Sequence, residues 1–307
     1  MRSLLHASDL SAGDMDALIS RAGELKKKLK SGQTVSSLKG KVVGLLFEKP
    51  STRTRTGFEV AALRLGGHSL YLSAGELQLS RGEPVRDTAR ILGGYLDVIV
   101  ARVYSQDTVD QLAKFAGVPV VNALSDLEHP TQIVADFFTI KEAKGKLAGL
   151  KIAYVGDGDN VCNSLVMASA IQGVNISVAC PRNYQPNEGI MERAQEAARS
   201  SGSTVEITDE PTKAASGADI LYTDVWVSMG EEAEKTRRLR AFKGYQVNSK
   251  LLEVAKPDVS VMHCLPAHRG LEITDDVIEG PHSIVWQQGE NKLYGAAAVL
   301  DWLAGQK

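Results

Sequence analysis

An apolar run, then a polar or glycine turn, then a helical pattern recurs along this chain, and that alternation constrains its fold more than any other feature. Val42-Val43-Gly44-Leu45-Leu46-Phe47 offers no polar residue to water, as a strand buried on both faces requires. The segment after it carries Phe58, Ala61, Ala62 and Leu65 on one helical face. Leu96 to Ala101 and Val118 to Ala123 read as two further short strands, with a helix over Thr108 to Phe115 between them. Strands that alternate with helices imply a parallel sheet covered on both faces.

A second series follows the glycine- and lysine-rich stretch Lys144 to Gly149. Its strands are Lys151 to Val155, Asn175 to Ala179, Asp219 to Thr223 and Val259 to Met262. The junction falls near residue 140, in or just after a helix over Ile133 to Ala143, and one more helical pattern runs from Lys292 to Leu303. The expected fold is α/β with two domains, each a mostly parallel sheet covered by helices, and the active site in the cleft between them. One domain spans 1–140 and is completed by a helix at 290–307; the other spans 141–289. A chain of 307 residues, 43% hydrophobic, is long enough for two such cores.

Net charge is −2, so no global field attracts nucleic acid or an anionic membrane. Any anion must be held by a local constellation. Cys162, Cys180 and Cys264 do not form a disulfide framework, which favours a reducing compartment. The segment Met1 to His6 turns polar within a few positions and lacks a signal-peptide core. No apolar run approaches the roughly 20 residues that span a bilayer. The expectation is a soluble, cytoplasmic protein with no nucleic-acid or membrane partner.

One constellation is dense enough to hold an anion. Pro50 stops the strand Val42 to Phe47, and Ser51 is a good N-cap for the helix beyond it. Ser51-Thr52-Arg53-Thr54-Arg55 then crowds hydroxyl and guanidinium groups onto a first turn, where free N–H groups and the helix dipole favour a phosphate. A capped surface helix with solvated arginines is the alternative. Further on, His129-Pro130-Thr131-Gln132 places proline at a helix start, with His129 and Gln132 three apart and able to face one point. A histidine before proline is otherwise a simple helix-entry residue.

Ser51-Thr52-Arg53-Thr54-Arg55 followed by His129-Pro130-Thr131-Gln132 resembles the pair of motifs shared by aspartate and ornithine carbamoyltransferases, in order and in spacing. The likeness continues through Asp224-Val225-Trp226-Val227-Ser228-Met229-Gly230 and His263-Cys264-Leu265-Pro266, which resemble the ornithine branch of the family. The resemblance implies transfer of the carbamoyl group of carbamoyl phosphate to the δ-amine of L-ornithine, giving L-citrulline and phosphate, in arginine biosynthesis or in the reverse direction. It implies a homotrimer or a multiple of trimers.

The same resemblance gives Ser51, Thr52, Arg53 and Thr54 the phosphate, and places Arg102 near both phosphate and carbonyl oxygen; alone, Arg102 is equally a strand-end charge in water. Carbonyl attack builds charge on oxygen, and Thr54, Arg102 and His129 would be its preorganised donors. Gln132 would accept from the carbamoyl NH₂. Phosphate is already a good leaving group, so direct attack by the neutral amine needs no metal, cofactor or covalent enzyme intermediate. Asp224 would pair with the ornithine α-ammonium, Asn160 stands at the matching strand edge, and Ser228 and Met229 belong to a loop that closes over ornithine. Cys264 would lie beside the δ-amine and the Leu265 carbonyl near the carbamoyl nitrogen, although a buried structural thiol is the commoner fate of a free cysteine. Where the family usually has Glu-Asn-Arg, this chain has Glu290-Asn291-Lys292, which keeps the charge but loses the bidentate fork. The charged stretch Glu231 to Arg240 reads as a solvated helix face.

Two other classes compete. Val155-Gly156-Asp157-Gly158-Asp159-Asn160 follows a strand as a dinucleotide loop does, but its third glycine position is Val161, and the next strand ends Ala179-Cys180-Pro181 with no acid for a ribose. A non-catalytic binding protein on the same fold is the second, and intact phosphate and ornithine motifs argue against it.

Overall fold

The computed structural model describes residues 2–227 and 232–305. Its contacts divide into two units, 1–138 with 290–307 and 139–289. The first unit is therefore discontinuous, with the whole of the second inserted in it.

The first unit opens with α1 (Ala12–Lys30), capped by a reciprocal Ser11–Asp14 box and ending in Lys27, Lys28 and Lys30, so both termini suit the helix dipole. Then come β1 (Val42–Phe47), α2 (Thr52–Arg64), β2 (His68–Ser73), α3 (Val85–Tyr95), β3 (Val98–Arg102), α4 (Gln106–Phe115), β4 (Val120–Leu124) and α5 (Pro130–Lys144). The four strands are parallel in the order β2-β1-β3-β4. All five residues of β3 and five of the six in β1 are buried, as central strands between two helical layers should be. Each such Leu, Ile or Val contributes about 1.5–3 kcal/mol by leaving water. Edge strand β2 is only partly buried and escaped the sequence reading for that reason.

The second unit contains β5 (Lys151–Val155), α6 (Asn160–Ile171), β6 (Asn175–Ala179), α7 (Glu188–Ser201), β7 (Val205–Thr208), α8 (Pro211–Ala215), β8 (Ile220–Thr223), α9 (Lys235–Ala241), α10 (Ser249–Leu252), β9 (Ser260–His263), α11 (Asp275–Ile278) and the start of α12 (Val285–Ala304). Its strands are parallel in the order β7-β6-β5-β8-β9. The two-sheet α/β architecture expected from the sequence is the one observed.

Element boundaries moved in instructive ways. Helix α12 starts at Val285 rather than Lys292, because Gly289 interrupts the apolar pattern without interrupting the helix. Likewise α5 starts at Pro130, whose fixed φ and missing N–H suit a first helical position. Among the described residues, no helix is long and apolar enough to cross a membrane.

In each sheet the chain reverses its direction of strand addition once, between β1 and β3 in the first and between β5 and β8 in the second. Ligands of open α/β sheets bind outside the carboxyl ends of strands at such reversals. Those four strand ends carry Glu48 to Ser51, Arg102, Gly156 to Asn160 and Asp224.

Candidate active site

In the first unit, Ser51 caps α2 with its hydroxyl accepting from the Thr54 N–H at 3.3 Å. No acidic residue occupies the first turn of α2, so no carboxylate of that turn offsets the positive end of its dipole. Arg53, Thr54, His129, Gln132 and Lys292 line one cavity of about 260 Å³, measured to its open mouth, together with Gly57, Phe58, Thr131 and Ala296. Ser51 and Thr52 do not line it. Arg55 turns away, pairing with Glu59 at 3.0 Å and stacking on Tyr71 at 3.5 Å. The two guanidinium groups of the motif thus have different duties.

Arg102 ends β3 and is buried, beside a register shift in the β3–β4 pairing between Ala101 and Arg102. Such irregularities re-aim a side chain near a site. Its charge reaches His129: burial first, then the charges of Lys292 and Arg102, hold the imidazole well below its usual titration range. His129 is therefore neutral in any near-neutral solution. The turn before it is fixed by Glu128, which is wholly buried and accepts from the Ala7 N–H at 2.7 Å and contacts His6 Nδ1 at 3.0 Å.

Gln132 is buried, its Nε2 donating to Asp136 Oδ1 at 2.8 Å, one helical turn on. Its Oε1 is buried with no hydrogen-bond partner among the described residues. An orphaned buried acceptor costs about 1–3 kcal/mol unless a donor reaches it.

Lys292 reaches this cavity because α12 passes close to α5. A Cβ on Gly295 would lie 3.2 Å from the backbone of Ala135, so glycine permits the approach.

The second unit concentrates acids instead. Asp224, just past β8, is buried and accepts from its own following N–H at 2.8 Å. Asp159 caps α6, accepting from the N–H groups of Val161 and Cys162, each at 3.1 Å. It also meets the Asp224 carboxyl in a hydrogen bond. Burial, then the charges of Asp224 and Asp157, raise the Asp159 carboxyl well above its usual range. Asp157 is paired with Arg238 of α9. Of the charged stretch expected as a solvated face, residues 233–237 and 240 are exposed and Glu231 lies outside the described residues, but Arg238 is buried, donating also to the Trp226 carbonyl at 3.2 Å and lying over the Tyr184 ring. Asn160 begins α6 and is partly buried.

Cys264 is buried just beyond β9. Asp224, His263 and Cys264 each place a donor atom within 4.8 Å of the others, close enough to share one cation, metal or ammonium. The ring of His263 is already engaged: Nδ1 accepts from the Leu265 N–H at 2.9 Å and Nε2 faces Glu272 at 3.0 Å. Leu265 itself sits at φ 60°, an uncommon conformation for a branched side chain. Ser228 and Met229 lie outside the described residues.

Gly158, which suggested a dinucleotide loop, has a packing reason instead. A Cβ there would lie 2.3 Å from the backbone nitrogen of Pro186. Sequence reasoning missed Asp136, Asp159, Thr131 and Arg238 as site neighbours. A carboxylate one turn after Gln132 was the visible signal for Asp136; nothing local distinguished Arg238 from the cations around it.

Residues 2–142 match the family model for the carbamoyl-phosphate-binding domain of aspartate/ornithine carbamoyltransferases, and residues 148–303 match that for the aspartate/ornithine-binding domain. The chain belongs to the aspartate/ornithine carbamoyltransferase family. Within it, similarity runs to the ornithine enzymes. An ornithine carbamoyltransferase of Methanosarcina acetivorans is 53% identical over 97% of this chain and 98% of its own. The anabolic ornithine carbamoyltransferase of Pyrococcus furiosus is 49% identical over 99% of this chain and 96% of its own. A solved structure of ornithine carbamoyltransferase from Pyrococcus furiosus superposes with a TM-score of 0.96, covering 100% of this chain and 98% of that one.

Proposed function

We propose that this chain transfers the carbamoyl group of carbamoyl phosphate to the δ-amine of L-ornithine, releasing L-citrulline and phosphate. The observation that carries the reading is the cavity of the first unit: Arg53, Thr54 and Lys292 supply donors and charge, and the buried Gln132 Oε1 awaits a donor. Carbamoyl phosphate presents an NH₂ and a phosphate on one small frame. Ser51, Thr52, Arg53 and Thr54 hold the phosphate at the N-terminus of α2, with Lys292 as a further positive charge. Gln132 takes the NH₂, and Arg102, Thr54 and His129 donate to the carbonyl oxygen as it gains charge. Neutrality of His129 suits it to donate without adding a third cation to a site that already holds two or more.

On the second unit, Asp224 takes the α-ammonium of ornithine and Asn160 its α-carboxylate; Ser228 and Met229 are assigned to ornithine by the family pattern alone. Cys264 lies beside the δ-amine as a polarisable neighbour, and the Leu265 carbonyl lies by the carbamoyl nitrogen. The neutral δ-amine attacks the carbonyl carbon, a tetrahedral intermediate forms, and its collapse breaks the C–O bond to phosphate. The departing phosphate takes the amine proton, so neither cofactor nor metal enters.

The protein acts in the cytoplasm, as a homotrimer or a multiple of trimers. Leu63, Leu70, Ile91 and Tyr95 support self-association, since all four are large, apolar and at least half exposed on the first unit. Formation of the N-carbamoyl product, citrulline in the case of ornithine, measured with ornithine, lysine, aspartate and putrescine as acceptors tests the reaction. Equal turnover of putrescine and ornithine contradicts the assignment, because putrescine lacks the α-carboxylate that the site pairs. Sedimentation gives the oligomer.

A further inference from the structure

An amide has two faces that differ only in hydrogen-bonding sense, and little in its shape decides which one meets a ligand. Gln132 lies in the cavity with one end engaged and the other vacant: Nε2 donates to Asp136 at 2.8 Å, while Oε1 is buried and unpartnered. The Asp136 carboxylate is wholly buried and accepts only, so it can hold the NH₂ end of the amide and cannot hold the oxygen end. Both residues sit on α5 four positions apart, one above the other on the same helical face. That helix is pinned in turn where Ala135 meets Gly295.

We propose that Asp136 is a positioning residue for substrate selection: by seizing the amide nitrogen of Gln132 it forces the oxygen into the cavity, which makes the site select an acyl phosphate bearing an NH₂. This rests on the assignment of Gln132 to the carbamoyl nitrogen. With the amide reversed, two NH₂ groups would face one another and the carbamoyl group would lose its acceptor. Acetyl phosphate is the discriminating ligand, because a methyl group stands where carbamoyl phosphate has its NH₂ and the phosphate is unchanged. The orphaned oxygen disfavours acetyl phosphate; a freely turning amide would discriminate less.

Steady-state kinetics with carbamoyl phosphate, and competitive inhibition by acetyl phosphate, are measured for the parent, Asp136→Asn, Gln132→Ala, Gln132→Glu and the double change Gln132→Glu with Asp136→Asn. Circular dichroism and Tm establish that each variant is folded. Asp136→Asn should lower kcat/KM for carbamoyl phosphate by about ten- to a hundredfold, the usual range for leaving a buried polar group mispaired, and leave the acetyl phosphate inhibition constant within about threefold. In Gln132→Glu two carboxylates confront each other, so activity should collapse. Adding Asp136→Asn should then recover at least about tenfold, because the new amide donates to the new carboxylate, whose other oxygen again accepts the carbamoyl NH₂. Equal weakening of both ligands in Asp136→Asn, or no recovery in the double variant, overturns the positioning role. If Gln132→Ala is impaired while Asp136→Asn is not, the role of Asp136 alone falls. Should Gln132→Ala turn over carbamoyl phosphate like the parent, the carbamoyl assignment of Gln132 falls and the proposal with it.

Discussion

Around the cavity of the first unit gather Arg53, Arg102 and Lys292, with a neutral His129 among them; beyond the carboxyl ends of β5 and β8 in the second unit gather Asp157, Asp159 and Asp224. Both places occur at a reversal of strand order in a parallel sheet, so the scaffold is the same and the charge is inverted. The two units also balance their charge differently. In the first, basic groups lie near a helix N-terminus, and His129 is kept neutral by burial and by its cationic neighbours. In the second, one carboxylate is matched by the buried Arg238, and two meet directly, so that a proton or an ammonium is needed between them. Each site is thus opposite in charge to the ligand group proposed for it above.

Removing the charge that each ligand meets is the strongest way to break this contrast. Asp224→Ala should reduce kcat/KM for ornithine by about a hundred- to a thousandfold, as truncation of one partner of a buried charged pair usually does, and leave binding of a phosphonate analogue of carbamoyl phosphate within about threefold. Arg53→Ala should do the reverse, weakening the phosphonate by about ten- to a hundredfold. Calorimetric titration of both variants with both ligands checks this; cross-effects of equal size would dissolve the division of labour.

Lys292→Ala sharpens it at smaller amplitude. Carbamoyl phosphate kcat/KM should fall by about tenfold or somewhat more, because one charged contact is lost from several. Lys292→Arg should stay within about tenfold of the parent. An unchanged kcat/KM in Lys292→Ala would show that the anion is held without it.

How far these sites were legible depends on the range over which their residues meet. Ser51 to Arg55 are consecutive, and a strand stopped by proline followed by a capped helix is a local pattern, so the helix start that brings Arg53 and Thr54 to the cavity could be read directly. His129 and Gln132 share a helix face, and their convergence was likewise readable. The contact of Asp159 with Asp224 was not, because it arises only when β8 lies beside β5, pairing Ile152 with Ile220. The same holds for Arg238, whose burial depends on Asp157 and on the ring of Tyr184 rather than on anything in its own charged run. Arg55 shows the converse, in that a residue inside the motif, adjacent to Arg53 and Thr54, is drawn off by Glu59 and Tyr71.

The smallest expected effects are in stability against pH, and they have opposite signs at the two sites. Folding depresses the proton affinity of His129 from the ordinary 6.5, so below about pH 6.5 the unfolded chain binds a proton that the folded chain refuses. Stability from this group should fall as pH drops from 6.5 toward the depressed value, by up to about 1.4 kcal/mol per pH unit, and His129→Gln should flatten that slope. Folding raises the affinity of Asp159 from the ordinary 3.8, so its contribution is full below 3.8 and is lost as pH rises through the elevated folded value. Asp159→Asn keeps the helix cap and removes the repulsion, and it should raise Tm at pH 7 by about 2–4 °C, with little change at pH 3.5. Thermal melts across pH 3.5–8 resolve both.

The insertion of one unit within the other also dictates a schedule for biosynthesis. Arg53 and Thr54 leave the ribosome early, yet Lys292 and Ala296, which close the same cavity, are translated only after all of 139–289. Compact units tend to fold as they emerge. Here the unit begun first must wait with an open flank, its α5 lacking the α12 contact at Gly295, while the second is made and folds. A chain that has grown past His263 but not to Lys292 therefore contains every strand of the second sheet, while the cavity that Lys292 helps to line cannot yet exist.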